Sequence, residues 1–188
     1  MTPSPATNGP IAQPQDNGVY LIEPLYLRPG LAASHLVVDD GRAAFVDTGA
    51  GPAAPRLLAA LDELGVPREN VDYLFLTHVH LDHAGGAGQL MQALPNAKAV
   101  LHPRGAPHLI DPAKLIAGSI AVYGEALYRE LYGDIIPIPA GRVLVVEDNP
   151  INLKVTLGML RKIGQQADVA QNGAEALTAV ERAAYDLV

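Results

Sequence analysis

The chain has 188 residues, a formal net charge of −7 and no cysteine. An acidic chain argues against nucleic acid and anionic membrane as partners, and the lack of cysteine excludes disulfides and thiolate metal ligands. No apolar run reaches the ~18 residues that a membrane-spanning helix needs. We therefore expect a cytoplasmic globular protein of one domain or two small ones.

The first eighteen residues differ in composition from the rest of the chain. Residues 1–18 contain four prolines among Ser, Thr, Asn and Gln. They lack a cationic segment followed by an apolar one, so they do not have the pattern of a signal peptide. This composition predicts a disordered arm.

A β-hairpin is predicted next. Two apolar runs flank the turn Asp39-Asp40-Gly41-Arg42, as a hairpin requires. The second run ends in Asp47-Thr48-Gly49.

Apolar periodicity predicts the elements that follow. The pattern predicts helices over 52–64, 87–94 and 112–132 and strands over 71–76 and 97–101. The strand over 71–76 is continuously apolar and aromatic apart from one Asp, which is typical of a buried strand. Three tyrosines in 112–132 could line a substrate cleft, but core packing is the favoured interpretation for tyrosines near helical spacing.

Four side chains capable of binding a metal follow the strand over 71–76: His78, His80, Asp82 and His83. Open α/β sheets build their sites at the carboxyl ends of strands. His78 and His80 are two positions apart, so in an extended backbone they point the same way and can share one metal. Asp82 and His83 lie where the chain turns and can bind a second metal beside the first.

Imidazole and carboxylate ligands together favour zinc or another borderline divalent metal. Gly85 and Gly86 then allow close backbone approach. The alternative is a histidine-rich surface turn without metal. Because three of the six histidines of the chain lie within six positions, we favour the metal site.

The pattern His-x-His-x-Asp-His after a strand resembles the signature of the metallo-β-lactamase superfamily of hydrolases. The hairpin with its Asp-Thr-Gly end resembles the opening hairpin of that family, and the resemblance covers roughly residues 19–140. It implies an α/β fold, the N-terminal half of an αββα sandwich. It also implies zinc-bound hydroxide that attacks an ester, thioester, lactone or similar bond of a small-molecule substrate, because zinc lowers the pKa of bound water to about 7.

By this resemblance, His78 and His80 are ligands of the first zinc, and Asp82 and His83 of the second. Asp82 is also the candidate catalytic residue. Asp47 matches an early Asp of the family that supports the site from behind; a plain turn residue is an equal alternative.

The family uses a third His, a bridging Asp and a further His downstream. The only later histidines are His102 and His108. His102 follows a predicted strand and is a possible supporting residue, although a hydrogen-bonded structural role is the favoured interpretation. We therefore expect one or two zinc ions, with a binuclear site in doubt, and a hydrolase with impaired activity.

The chain changes character after residue 141. Four apolar β-prone residues lead into Glu147 and Asp148, followed by Asn-Pro. This resembles the start of a receiver domain of two-component signalling, as in hybrid sensor kinases. The resemblance implies a partial flavodoxin-like βαβαβ unit over 142–188 and, as a partner, a histidine kinase or phosphotransfer protein.

In receivers the first acidic pair binds Mg²⁺, so Glu147 and Asp148 are candidate Mg²⁺ ligands. The alternative is an acidic cluster that favours a helix N-terminus. The phosphoryl-accepting Asp would fall a few residues beyond Val188, and Asp186 starts its predicted strand instead of ending it.

The sequence thus predicts a disordered arm over 1–18, a metallo-β-lactamase-like domain over 19–140 without its second half, and a receiver-like domain over 142–188. Three hypotheses for function remain: a metal-dependent hydrolase, a phosphorelay receiver module, and an inactive composite or fragment.

Overall fold

A computed structural model describes residues 9–146 and Glu175. Glu147, Asp148 and the rest of the predicted receiver segment after Val146, apart from Glu175, lie outside the described residues. Within this part of the chain the fold is mixed α/β, as predicted.

Seven strands form one sheet, and their order in space follows their order along the chain. The strands are β1 (Ala12–Pro14), β2 (Val19–Ile22), β3 (Ser34–Asp39), β4 (Arg42–Val46), β5 (Val71–Phe75), β6 (Lys98–Leu101) and β7 (Val143–Val145). Strands β1 to β4 pair antiparallel, and β4 to β7 pair parallel. The parallel strands are connected by helical crossovers, which parallel pairing requires.

The helices lie in the three connections between the parallel strands β4, β5, β6 and β7. They are α1 (Ala54–Leu64), α2 (Leu81–Ala84), α3 (Ala87–Ala93), α4 (Ala106–Ile110), α5 (Ala113–Tyr123) and α6 (Glu125–Tyr132). Leu57 and Leu61 of α1 and Leu90 of α3 are fully buried in one core cluster with Phe45 and Leu74 of the sheet. The core therefore lies between the sheet and these two helices. None of the helices in residues 9–146 is both long and apolar enough to cross a membrane.

The hairpin of β3 and β4 is confirmed. Asp39 pairs with Arg42 across the turn, and the two turn residues Asp40 and Gly41 both have positive φ (44° and 75°). Two positive φ values fit the tight turns that match the twist of the strands. At the end of the hairpin, Arg42 forms an exposed bidentate ion pair with Asp72 of β5.

Three predicted elements need correction. Residues 12–14 of the predicted arm form β1, because Ala12 is buried against the core at 3% exposure. The helix predicted over 112–132 divides into α5 and α6 at Gly124, whose φ of 76° cannot continue a helix. The glycine and the charged residues that follow it mark this break, which the prediction of a single helix overlooked.

The strand predicted over 71–76 is less buried than expected. Leu74 is fully buried, but the neighbouring Phe75 is 41% exposed. Successive side chains of a strand point to opposite faces, so Leu74 packs in the core cluster while the neighbouring Phe75 points away from it. The nearly continuous apolar sequence of 71–76 therefore does not mean that both faces of β5 are fully buried.

Strand β7 contains the first residues of the predicted receiver segment. Val143–Val145 pairs parallel with β6 in the same sheet as the hairpin. The preceding Arg142 donates hydrogen bonds to the carbonyl oxygens of Met91, Leu94 and Ala97. In the described part of the chain the segment from residue 142 thus completes the sheet at its edge, and the division into domains at this point remains a prediction.

Candidate metal centre

The predicted ligands lie where two neighbouring parallel strands end. Strand β4 ends one residue before Asp47, and β5 ends two residues before Thr77. The Asp47 N–H donates to the carbonyl oxygen of Phe75 at 2.8 Å, and the Thr48 N–H donates to that of His83 at 2.7 Å. These bonds tie the Asp-Thr-Gly turn to the histidine-rich loop.

Asp47 is buried, at 6% exposure, and has a left-handed backbone with φ of 55°. Its carboxylate accepts hydrogen bonds from the backbone N–H of Thr77 at 2.9 Å and from the Thr77 hydroxyl at 2.8 Å. The same carboxylate lies 2.8 Å from Nδ1 of His83. A carboxylate on one ring nitrogen fixes the orientation of an imidazole and leaves the other nitrogen for a metal.

Three imidazoles meet beside this carboxylate. The ring centroids of His78 and His83 are 4.1 Å apart, and those of His78 and His80 are 4.7 Å apart. Nε2 of His83 lies 3.7 Å from a carboxylate oxygen of Asp82. His80 thus contacts His78 and Asp82 lies near His83, but neither belongs to the group of ligand atoms within 4.8 Å that is found among the described residues, which is Asp47, His78 and His83.

The protonation of His78 suits a metal ligand. Desolvation by the surrounding protein lowers the pKa of His78 from its usual 6.5, and the nearby His83 and His80 lower it further, against the opposing effect of Asp47 and Asp82. A lower pKa keeps the imidazole neutral at neutral pH, which is the form that binds metal ions.

The grouping of the ligands differs in detail from the prediction. Asp47, His78 and His83 each offer a ligand atom within 4.8 Å of the other two. The sequence instead pairs His78 with His80 and Asp82 with His83. The difference arises because Asp47 is far from the histidine-rich loop in sequence, and the pairing of β4 with β5 places it beside that loop. Imidazole nitrogens and carboxylate oxygens are donors that fit zinc, and the contact of Asp47 with Nδ1 of His83 leaves Nε2 as the donor atom of that histidine.

The two glycines after the loop are required by close packing, as predicted. The N–H of Gly86 donates to the carbonyl oxygen of Gly49 at 2.9 Å. A Cβ at Gly86 would lie 2.8 Å from the carbonyl oxygen of Thr48. Any larger residue would therefore push the loop away from the Asp-Thr-Gly turn.

A cluster of tyrosines packs against Leu81 of the histidine-rich loop. The hydroxyls of Tyr26 and Tyr132 are 3.0 Å apart, and Tyr128 packs on Tyr132. Leu81, between two predicted ligands, is buried in the same cluster. Burial raises the pKa of Tyr26, and the carboxylate of Asp82 raises it further. Tyr128 and Tyr132 are buried and thus have the core-packing role favoured for the tyrosines of 112–132. The contact of Tyr26 with Tyr132 was not predicted, because no local sequence pattern indicates it.

His102 and His108 are not members of the metal-capable group found in the described residues. Nδ1 of His102 accepts a hydrogen bond from the N–H of Arg104 at 3.1 Å, and its carbonyl oxygen accepts one from Gly105. These bonds agree with a structural role for His102 in the turn after β6. His108 lies in α4.

Comparison with known proteins gives one family match. Residues 27–163 match the family model of the Metallo-beta-lactamase superfamily. The chain is 38% identical over 94 residues to a hydroxyacylglutathione hydrolase of Salmonella paratyphi A, covering 48% of the chain and 34% of that protein. The chain thus spans about a third of the length of this curated hydrolase.

Two further similarities are partial. Over 47 residues the chain is 47% identical to histidine kinase 5 of Arabidopsis thaliana, which is 25% of the chain and 5% of that protein. The solved structure of metallo-beta-lactamase SMB-1 superposes with a TM-score of 0.50 at 18% identity, covering 73% of the chain and 46% of that structure. At this identity the likeness concerns the fold alone.

Proposed function

Because the chain belongs to the metallo-beta-lactamase superfamily, we propose that it carries the zinc-binding loop of a hydrolase that acts on an ester, thioester, lactone or similar bond of a small molecule. The observation that supports this most directly is the meeting of Asp47, His78 and His83 at the ends of two parallel strands. Sheet edges of this kind are where α/β proteins build their sites.

In this proposal His78, His80, Asp82 and His83 hold the metal, and Asp47 positions His83. Zinc bound there would act as a Lewis acid and lower the pKa of a water molecule. Asp82 is the candidate catalytic residue by the family resemblance, and one of its carboxylate oxygens lies 3.7 Å from Nε2 of His83. Leu81 of the loop is buried against Tyr128 and Tyr132, and this packing holds the loop in position.

The four loop residues are only part of the ligand set that the family resemblance implies, which also has a third His, a bridging Asp and a further His. A catalytic zinc needs its protein ligands in a fixed geometry with one open position. The downstream His and Asp ligands that the family resemblance implies have no counterpart in His102 or His108 at this site. We therefore propose weak binding of about one zinc ion, with impaired turnover.

Zinc content tests this proposal. Elemental analysis of the purified chain after dialysis should give about one zinc per chain, and the double variant His78→Ala, His80→Ala should lose it. His108→Ala is the matched control, because it removes a histidine outside the loop. Unchanged zinc content in the double variant would remove the loop from the proposal.

A receiver-like function of the C-terminal segment is the second candidate. It is supported by the partial similarity to histidine kinases, whose 47 matched residues equal the length of 142–188. Glu147 and Asp148 are then Mg²⁺ ligands, and a histidine kinase or phosphotransfer protein is the partner.

Acetyl phosphate tests the second candidate. We expect the chain to stay unmodified, because a receiver's acceptor Asp ends the third strand, whereas Asp186 starts its predicted strand. Intact-mass spectrometry in the presence of Mg²⁺ gives the result. A base-labile phosphoryl adduct on Asp148 or Asp186 would show that a working acceptor is present.

A further inference from the structure

The hydroxyl of Thr77 connects two residues of the candidate metal centre. Its oxygen lies 2.9 Å and 2.8 Å from the two carboxylate oxygens of Asp47 and 3.0 Å from Nδ1 of His78. Thr77 lies two residues after the end of β5 and directly before the histidine-rich loop. One small side chain thus links the buried carboxylate to a proposed zinc ligand other than His83.

The direction of these hydrogen bonds follows from the atoms that take part. An ionised carboxylate only accepts hydrogen bonds, and a hydroxyl has a single proton to donate. The Thr77 hydroxyl therefore donates its proton to Asp47 and has only lone pairs left for His78. Nδ1 of His78 must then carry a proton of its own, which it donates to the Thr77 oxygen.

A proton on Nδ1 leaves Nε2 as the metal-binding atom of His78. The hydrogen bond at one ring nitrogen of a histidine decides which nitrogen is free for a metal. Asp47 acts in the same way on His83, whose Nδ1 it contacts at 2.8 Å. The single carboxylate of Asp47 thus orients two imidazoles, that of His83 directly and that of His78 through the Thr77 hydroxyl.

We propose that Thr77 is a positioning residue of the metal centre, which holds His78 in the tautomer with a free Nε2. The purpose of this arrangement rests on the proposed zinc function, but its geometry does not, because the chain's own residues make all of these hydrogen bonds. Thr77 and His78 are exposed, so water competes for the bond between them. The effect on zinc affinity should therefore lie at the lower end of the range for residues that orient a ligand, about tenfold.

The tautomer of His78 in the metal-free full chain tests the proposal. Long-range ¹H–¹⁵N correlation spectra distinguish a protonated ring nitrogen from an unprotonated one, and at about pH 8 histidine is mainly neutral. We expect His78 of the wild type to carry its proton on Nδ1. Thr77→Val removes the hydroxyl but keeps the β-branched shape and the backbone N–H that donates to Asp47. In this variant we expect both tautomers at His78 and no change at His83.

Thr77→Ser is the matched control, because it keeps the hydroxyl and removes the methyl group. It should restore the Nδ1–H tautomer of His78. A role of Thr77 in packing alone would depend on the methyl group, so Thr77→Val would then keep the wild-type properties and Thr77→Ser would lose them. Asp47→Ala should release both imidazoles, whereas Thr77→Val should release only that of His78.

Zinc affinity, measured by competition with a chelating dye, is the second measurement. Thr77→Val should bind zinc about tenfold more weakly than the wild type, and Thr77→Ser should bind it nearly as well. A melting curve of each variant shows that it is folded.

Two results would overturn the proposal: a proton on Nε2 of His78 in the wild-type chain, or an unchanged tautomer in a folded Thr77→Val variant. If the wild-type chain bound no zinc at all, the proposed zinc function would fail. The tautomer of His78 would still decide whether Thr77 positions that imidazole.

Discussion

Asp47 connects the strand framework to the metal-binding loop. Its carboxylate accepts from the Thr77 N–H and hydroxyl and contacts Nδ1 of His83, while its backbone has a φ of 55°. A non-glycine residue in this conformation is uncommon, and Asp tolerates it better than most. The residue therefore has both a conformational and an electrostatic role.

Asp47→Ala should weaken zinc binding by about 10–100-fold, the usual effect of losing a partner that orients a ligand. Competition with a chelating dye measures the affinity. Asp40→Ala is the matched control, because Asp40 also has a positive φ but lies in the exposed hairpin turn. Equal zinc affinity of the two variants would argue against a role of Asp47 at the site.

Zinc binding should depend on pH through His78. The pKa of His78 is lowered below 6.5 by desolvation first and by neighbouring histidines second. A proton competes with the metal for the imidazole, so the lowered pKa lets His78 contribute to binding down to a lower pH than an ordinary histidine, and this contribution falls as the pH drops through the folded-state pKa. A decline that begins well above 6.5 would contradict this direction of the pKa shift.

At the scale of elements, sequence reasoning succeeds where the signal is local. The hairpin, the helix ended by Gly65, and the loop of ligands after β5 follow from turn residues and periodicity. Asp47 and Tyr26 reach the site only through sheet pairing and helix packing over long sequence separations. The break before α6 does have a local signal, Gly124 followed by the charged residues Glu125, Arg129 and Glu130, but apolar periodicity alone does not use it.

Arg142 is a second example of a long-range contact between elements. It lies just before β7 and donates to the carbonyl oxygens of Met91 and Ala97 at 2.9 Å. Met91 lies in the last turn of α3, where backbone carbonyls lack partners within the helix, and Ala97 follows the helix. Burial lowers the pKa of Arg142, but a guanidinium remains charged at neutral pH.

Arg142→Ala should lower the free energy of unfolding by about 2 kcal/mol or more, because part-buried carbonyl groups lose their donors. Urea denaturation measures the change. Arg42→Ala is the control: it removes an exposed ion pair with Asp72, which should matter much less. A smaller loss for Arg142→Ala than for Arg42→Ala would show that the contacts of Arg142 do not stabilise the sheet edge.

At the scale of the whole molecule, the chain covers only about a third of the hydroxyacylglutathione hydrolase that it resembles. A zinc ion activates water only when its coordination is fixed. The proposed ligands lie on one loop, and Asp47 reaches them from the end of β4. In this proposal the incomplete ligand set, and not the fold, limits the expected chemistry.

We expect little or no hydrolase activity from this chain, even with zinc added. Release of nitrophenol from p-nitrophenyl acetate, compared with zinc in buffer alone, measures it. Robust zinc-dependent turnover that Asp82→Ala abolishes would contradict the expectation and would mean that the chain supplies the remaining ligands itself.

The order of the strands has a consequence for how the chain folds during synthesis. Every strand pairs with the strand before it along the chain, so each can be added to an existing edge as it leaves the ribosome. The β3–β4 hairpin needs only a local turn, whereas each parallel pair must first close a longer loop. Pulse-labelled hydrogen exchange should therefore protect the amides of β3 and β4 before those of β6 and β7. Assembly would then proceed from the amino-terminal edge, with the metal-binding loop formed only after β5 has docked.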